Sequence, residues 1–202
     1  MIAIIDYGMG NIHSVQKALQ LFGAKTVVTN KPDQINACDK IVLPGVGAFN
    51  DAMRELQRQK LDMVIQKSVE SKKPFLGICL GMQLLFEQSQ EAPACAGLGI
   101  LKGIVNRFEN NSLKVPHMGW NTIRQASADC PLLAGIAQDA YVYFCHSYFP
   151  VPVDKKVIAA RCTYGEEFSA IVWQGNVFGT QFHPEKSQAV GLAMLKNFVV
   201  AC

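Results

Sequence analysis

The sequence predicts an α/β fold in which a mostly parallel central sheet is flanked by helices, with additional antiparallel strands in the C-terminal half. Two observations support this class. Short apolar runs alternate with amphipathic helical segments through the first half of the chain, which is typical of a parallel sheet covered on both faces. The second half contains several β-rich segments with few helices between them, which indicates antiparallel strands.

The first half alternates between the two kinds of element. Apolar runs predict strands at residues 2–5, 26–29, 41–43 and 75–78. The first predicted helix spans residues 11–22 and is followed by Gly23, a residue suited to the end of a helix. Two helical stretches precede the fourth strand, and the second of them has one apolar face, formed by Leu61, Val64, Ile65 and Val69. Residues 81–89 are also predicted as a helix.

The second half is predicted to add strands and one closing helix. The strand segments lie near residues 100–105, 141–145, 157–160, 170–173 and 177–182, and the helix spans residues 188–200. The chain contains no internal repeat, linker or low-complexity segment. We therefore predict one domain over residues 1–202.

Composition narrows the class of protein. Half of the 202 residues are hydrophobic and 17% are charged, which is enough apolar material for a large core. The formal net charge is +3 without a run of basic residues, so charge gives no reason to expect a nucleic-acid partner. The apolar N-terminus is too short for a signal peptide, and no stretch approaches the ~20 residues of a membrane helix.

The seven cysteines are widely spaced and form no CxxC pair. This pattern argues against a zinc site and against a secreted disulfide framework, and it favours a reducing cytoplasm. We expect neither a metal ion nor a cofactor.

The most informative segment runs from Pro74 to Gln83 and contains Gly77-Ile78-Cys79-Leu80-Gly81. This G-x-C-x-G pattern between a strand and a helix is the cysteine counterpart of the nucleophile elbow. The dipole of the following helix would favour a thiolate, and the N–H of Leu80 would point toward an oxyanion. A buried structural cysteine between two packing glycines is the alternative.

A thiolate that transfers acyl groups also needs a base and a group that orients the base. His183 is the best of the four histidines because Glu185 follows two residues later and Pro184 stiffens the turn. A turn histidine beside a surface glutamate is the alternative. A third element, the glycine-rich segment 43–49, also follows a strand, and its N–H groups are suited to complete an oxyanion hole.

Together these motifs resemble those of the class I (triad) glutamine amidotransferases, whose two signatures match residues 77–83 and 182–185. The resemblance covers essentially the whole chain and implies a flavodoxin-like sheet. Segments 6–11, 44–47, 116–121 and 143–148 are similar to those of one branch, the glutaminase subunits of imidazole glycerol phosphate synthase. That branch hydrolyses glutamine and passes the ammonia to a (β/α)₈-barrel cyclase in histidine biosynthesis.

The resemblance implies a role for each matching residue. Cys79 forms a glutamyl thioester, His183 transfers protons and Glu185 orients His183. The oxyanion is held by backbone N–H groups of Leu80 and of the loop Gly45-Val46-Gly47. Four residues are expected to hold the glutamine: Gln83, Gly47, Ser147 and Tyr148.

The resemblance also implies a heterodimer with the cyclase subunit. The residues expected to contact it are Met118, Trp120, Asn121 and Lys186. Met and Trp are common anchors of interfaces. From the residues alone, Met118 and Trp120 would be interpreted as half-buried core residues.

Four other readings carry less weight. A paralogous amidotransferase would feed another acceptor, such as a surface-sugar pathway. Cysteine peptidases also use Cys-His pairs, although nothing in the sequence requires a peptide groove. A scaffold protein would be expected to lose Cys79, His183 or Glu185. Nucleotide binding is a weak reading of Gly8-Met9-Gly10 and Gly45-Val46-Gly47, because both segments lack the third glycine of the dinucleotide motif.

Overall fold

The computed structural model describes residues 1–109 and 113–202. Within these ranges the strands are β1 (Ile2–Ile5), β2 (Thr26–Thr29), β3 (Lys40–Gly45), β4 (Phe75–Cys79), β5 (Gln88–Ser89), β6 (Gly103–Arg107), β7 (His117–Gln125), β8 (Ala140–His146), β9 (Tyr148–Pro152), β10 (Ile158–Tyr164), β11 (Glu166–Gln174) and β12 (Val177–Thr180). The helices are α1 (Ile12–Gln20), α2 (Pro32–Asn36), α3 (Phe49–Arg58), α4 (Leu61–Glu70), α5 (Leu80–Gln83) and α6 (Gln188–Val200).

The main sheet is mixed and has the strand order β2-β1-β3-β4-β12-β11-β10-β7-β8. The first five strands in this order pair in parallel, and the remaining pairs are antiparallel. A smaller sheet has the order β5-β6-β9. The predicted division into a parallel half and an antiparallel half is therefore confirmed.

Strand register brings the ends of three strands together. Gly45 at the end of β3 is paired with Cys79 at the end of β4, and β12 lies parallel to β4 on its other side. Ligands of open α/β sheets bind outside the carboxyl ends of the strands. This edge is therefore where a site is expected.

Two apolar cores cover the two faces of the sheet. Alternate residues of β1 point to opposite faces, since Ile2 and Ile4 join one core while Ala3 and Ile5 join the other. Helices α1 and α6 pack on the first face, and α3 and α4 pack on the second. Helix α6 agrees with the predicted span, and α1 lies within its predicted span but begins one residue later and ends two residues earlier.

The helix predicted at residues 81–89 is wrong in length, because α5 ends at Gln83. The side chains of Leu84, Leu85 and Phe86 are all fully buried, and a helix on the surface cannot bury three consecutive residues. The backbone instead pairs with a distant loop. The carbonyls of Leu84 and Leu85 accept hydrogen bonds from the N–H groups of Leu98 and Leu101.

The nine-residue strand β7, which begins at His117, was not predicted. Its inward residues include His117 and Asn121 instead of apolar side chains, so hydrophobic alternation does not reveal the strand. Strand β9 and helix α2 were likewise not predicted. Across the described ranges, no helix combines the length and apolar character needed to cross a membrane.

Candidate active site

Cys79 lies on a strained turn between β4 and α5. Its backbone has φ 54° and ψ −110°, a conformation that residues other than glycine rarely adopt. The flanking glycines explain how the chain accommodates it. A Cβ on Gly81 would lie 1.9 Å from the carbonyl oxygen of Leu43, and a Cβ on Gly77 would lie 2.6 Å from the carbonyl oxygen of Gly81. The geometry is that of a nucleophile elbow, as the sequence predicts.

The helix after the elbow is shorter than the sequence indicates. Helix α5 has only four residues, so its dipole contributes less at Cys79 than a helix of nine residues would. The imidazole of His183 is therefore the main group available to pair with the thiol.

His183 lies just beyond the end of β12, beside β4. Its N–H donates to the carbonyl of Tyr143, and its carbonyl accepts a hydrogen bond of 2.7 Å from the Ser187 hydroxyl. The side chains of His183 and Glu185 are buried, and Nδ1 of His183 lies 3.0 Å from Oε1 of Glu185. The surface-glutamate alternative is thus wrong, since the Glu185 side chain is only 1% exposed.

The pKa of His183 reflects these neighbours. Burial by itself lowers the pKa, but hydrogen bonds to Cys79 and Glu185, and the negative charge of both groups, raise it overall. A protonated imidazole between the sulfur and the carboxylate is therefore favoured. A thiol, an imidazole and a carboxylate therefore lie together, which is the set of groups that acyl transfer by a cysteine requires.

One cavity of about 290 Å³ opens over Cys79 and His183. Most of the predicted substrate and oxyanion residues line it, namely Val46, Gly47, Leu80, Gln83, Ser147 and Tyr148. Gly45 lies beside Cys79 in the sheet register and not in the lining. Exposed Lys186 contributes to the rim, so it is close to the site as well as accessible to a partner.

The loop at the end of β3 is shaped by its glycines and by Tyr7. A Cβ on Gly45 would lie 2.7 Å from the Tyr7 hydroxyl and 2.9 Å from the N of Gly81, so only glycine fits there. Gly47 has a φ of 100°, which also favours glycine. Burial, followed by the charge of Cys79, raises the pKa of Tyr7, so that its phenol stays neutral under the elbow.

The expected partner residues lie in two environments. Met118 and Trp120 of β7 are 62% and 46% exposed and belong to neither apolar core, so the core alternative is wrong for both. The Asn121 side chain is instead bonded within the chain, because its Nδ2 donates to the Thr163 carbonyl at 2.9 Å and lies 3.3 Å from Nε2 of His117.

The structure adds two residues that sequence reasoning missed. Gln181 is fully buried, and its Nε2 donates to the sulfur of Cys79 at 3.8 Å while its Oε1 accepts from Gln83 at 3.1 Å. Its position two residues before His183 was the available signal. Glu91 lines the cavity, and its Oε2 accepts from the N–H of Phe49 at 3.0 Å. Glu91 lies in an irregular segment without a motif, so no sequence signal identifies it.

The other three histidines lie in different surroundings. His13 is exposed on α1, while His117 and His146 pair with each other inside the antiparallel half. Within residues 1–109 and 113–202, no group of three or more His, Cys, Asp or Glu side chains is arranged to hold a metal ion.

Comparison with known proteins assigns the class. The model of the family described as "Glutamine amidotransferase class-I" matches residues 3–202, and the chain belongs to that family. The predicted resemblance is confirmed.

The similarity extends to particular members. The chain is 51% identical to "Imidazole glycerol phosphate synthase subunit HisH 1" of Methanococcus maripaludis, with 98% of each chain covered. It is 50% identical to "Imidazole glycerol phosphate synthase subunit HisH" of Methanocaldococcus jannaschii, again over 98% of each. A solved structure titled "Crystal structure of glutamine amidotransferase" matches with a TM-score of 0.76 over 95% of each chain, at 18% identity, which supports the fold.

Proposed function

We propose that this chain is the glutaminase subunit of an imidazole glycerol phosphate synthase, which hydrolyses glutamine and delivers the ammonia to a cyclase subunit. Full-length relatives at about half identity support the pathway. The observation that carries the chemistry is the placement of Cys79, on a positive-φ elbow, beside the buried His183–Glu185 pair in one cavity.

The reaction begins with attack of the Cys79 sulfur on the carboxamide carbon of glutamine. The negative charge moves to the carboxamide oxygen, where the N–H of Leu80 and an N–H of the Gly45–Gly47 loop stabilise it. Protonated His183 then gives its proton to the leaving nitrogen, so that ammonia departs and a glutamyl thioester remains. Glu185 holds the imidazole through Nδ1, which leaves Nε2 to face the reaction.

Hydrolysis of the thioester restores the enzyme. Neutral His183 takes a proton from water, and the resulting hydroxide attacks the thioester carbonyl. Collapse of the second tetrahedral intermediate breaks the carbon–sulfur bond and releases glutamate. Cys79 and protonated His183 return to their starting states, so that one water is consumed for each glutamine.

Recognition of glutamine is assigned to the rest of the cavity. Gly47, Gln83, Ser147 and Tyr148 hold the substrate, and we add Glu91 to this set. Glutamine carries an α-ammonium group that needs a negative or polar acceptor, and Glu91 places a carboxylate in the lining. The bond from Phe49 to Oε2 fixes that carboxylate and leaves Oε1 to accept from the ammonium.

The cyclase is proposed to dock near the rim of the cavity. Trp120 and Met118 project from β7, and Lys186 lies at the cavity edge. A (β/α)₈-barrel partner seated there would receive ammonia without loss to solvent. Asn121 is proposed to contact the cyclase through its backbone, because its side chain is hydrogen-bonded within the chain. The assembly is proposed to be a cytoplasmic heterodimer.

The test measures glutamate release from glutamine with and without a cyclase subunit and its acceptor substrate, for wild type and Cys79→Ala. Strong stimulation that disappears in Cys79→Ala supports both the chemistry and the pathway. Cys79-dependent hydrolysis that ignores the cyclase would retain the glutaminase and reject this acceptor. Absence of hydrolysis under every condition would reject the proposed function.

A further inference from the structure

Two buried histidines outside the Cys79–His183 pair form a direct contact. His117 begins β7 and His146 ends β8, and the two residues are paired in the sheet register. Nδ1 of His117 lies 3.0 Å from Nε2 of His146, and the residues are only 3% and 5% exposed. Neither imidazole has a role in the reaction steps given above.

The neighbouring groups determine where the protons lie. Nδ2 of Asn121 can only donate, so Nε2 of His117 must accept. The proton of His117 is then on Nδ1, which donates to Nε2 of His146. The proton of His146 is therefore also on Nδ1, which donates to the Tyr148 carbonyl at 2.8 Å. All four ring nitrogens are satisfied when both imidazoles are neutral.

The desolvated environment agrees with this assignment. Burial lowers the pKa of His117 to about 4. Burial is also the largest effect on His146, whose pKa falls to about 3 despite the hydrogen bond to Tyr148. Both rings are thus neutral near pH 7, and neither can act as an acid in the reaction.

The hydrogen bonds continue from the histidine pair to the nucleophile. The Tyr148 carbonyl also accepts from Nε2 of Gln83 at 2.9 Å. The same amide group donates to Oε1 of Gln181, and Nε2 of Gln181 donates to the sulfur of Cys79. His146 and Tyr148 both line the cavity. A continuous chain of hydrogen bonds therefore joins β7 to the glutamine pocket.

We infer that His117 and His146 are positioning residues, which hold the Tyr148 carbonyl and the Gln83 amide in the orientation that binds glutamine. The inference rests on the proposed glutaminase function. Without the His146 donor, the Tyr148 carbonyl loses one of its two partners and Gln83 loses a fixed anchor. A buried polar group left without its partner is costly, so the pocket would rearrange.

Two replacements of His146 separate the hydrogen bond from the packing. In His146→Asn, the side-chain NH₂ occupies the place of Nδ1 and can still donate to the Tyr148 carbonyl. His146→Leu fills a similar volume without a donor. With the cyclase and its acceptor present, we expect His146→Leu to raise KM for glutamine about tenfold or more, with a smaller change in kcat. His146→Asn should recover KM to within about threefold of wild type.

Two labelling probes report on the pocket without turnover. A glutamine chloroketone must occupy the glutamine pocket before it alkylates Cys79, whereas iodoacetamide need not. His146→Leu should slow labelling by the chloroketone about tenfold, in line with the expected rise in KM. Labelling by iodoacetamide should stay within about twofold of the wild-type rate. Equal slowing of both probes, or equal KM for the Leu and Asn variants, would overturn the inference.

Nitrogen-15 NMR of the imidazoles tests the proton positions on which the inference rests. Both His117 and His146 should be neutral at pH 6 with the proton on Nδ1. A charged ring, or a proton on Nε2 of His146, would refute the assigned chain of hydrogen bonds. Wild type that binds the chloroketone but shows no cyclase-stimulated turnover would count against the proposed pathway and leave the positioning inference standing.

Discussion

In the parallel half of the sheet the site is held by backbone geometry, whereas in the antiparallel half it is held by hydrogen-bonded side chains. Cys79 owes its position to Gly77 and Gly81, which allow backbone segments to approach more closely than any Cβ permits. Tyr148 begins β9 of the smaller sheet directly after β8, and its carbonyl accepts hydrogen bonds from His146, at the end of β8, and from Gln83.

This difference determines which substitutions each half tolerates. A close backbone approach cannot be restored by a conservative side chain, because the added atoms meet main-chain atoms. A hydrogen bond can be restored by another side chain with a donor in the same place. The parallel half should therefore be sensitive to added volume, and the antiparallel half to lost donors.

The largest effect is expected for Gly81→Ala. The new Cβ would meet the Leu43 carbonyl oxygen at 1.9 Å, so β3 and the elbow must separate. We expect a loss of about 3 kcal/mol or more in the free energy of unfolding, measured in urea. Glutamate release should fall by about 10³-fold or more because the elbow no longer aims the sulfur.

Gly135→Ala is the matched control for that substitution. Gly135 has a φ of 71° and nothing within 4 Å of its ideal Cβ, so only backbone strain opposes alanine. Its cost should be about 1 kcal/mol, with unchanged glutamine hydrolysis. Similar losses for the two variants would contradict the role given to the close approach at Gly81.

The next effect is expected for Glu185→Gln. The amide keeps the shape of the carboxylate but removes the negative charge that helps raise the pKa of His183. We expect kcat/KM for glutamine to fall about 100-fold. The pKa of His183, followed by NMR, should also fall. An unchanged pKa would show that Cys79 alone sustains the protonated imidazole.

Much of the parallel half could be predicted because its signals are local. Each buried strand is an uninterrupted apolar run, and the elbow has glycines at fixed spacing around Cys79. His183 and Glu185 were predicted from their separation by two residues. The structure brings them to the same sheet edge because β12 inserts beside β4, a long-range pairing that propensity does not encode.

The antiparallel half was harder to predict for a physical reason. The inward positions of β7 include His117 and Asn121, which are stabilised by partners on other strands. Hydrophobic alternation therefore fails where burial is compensated by hydrogen bonds. Helix α5 ends earlier than predicted for a related reason. The carbonyls of the residues that follow it accept hydrogen bonds from the segment around Leu98.

A smaller effect is expected on stability at acid pH. The folded-state pKa values of His117 and His146 lie near 4 and 3, below the ordinary value of 6.5. As pH falls below about 6.5, the unfolded state therefore binds more protons than the folded state does. The stability that the two neutral histidines contribute near pH 7 is thus lost toward pH 4. His146→Asn should reduce the loss between pH 7 and pH 5.5 by about 1 kcal/mol in urea unfolding.

His13→Asn, at an exposed position on α1, is measured in parallel as the control for replacing a histidine by asparagine. The two core histidines face each other, and His183 also acts on His146 through its charge. A slope for His146→Asn equal to that of wild type would mean that the histidine pair does not titrate as assigned.

The smallest effect on the isolated chain is expected at the outer face of β7, where the antiparallel half meets the proposed partner. Trp120→Ala removes an exposed aromatic side chain and should leave thermal unfolding unchanged, while Lys186→Glu reverses a charge at the cavity rim. Each should weaken cyclase binding about tenfold in a titration. Leu21→Ala, at an exposed position after α1, should bind as wild type does. Equal affinity of all three variants for the cyclase would mean that the cyclase binds elsewhere. The antiparallel half would then support the glutamine pocket without contacting the partner.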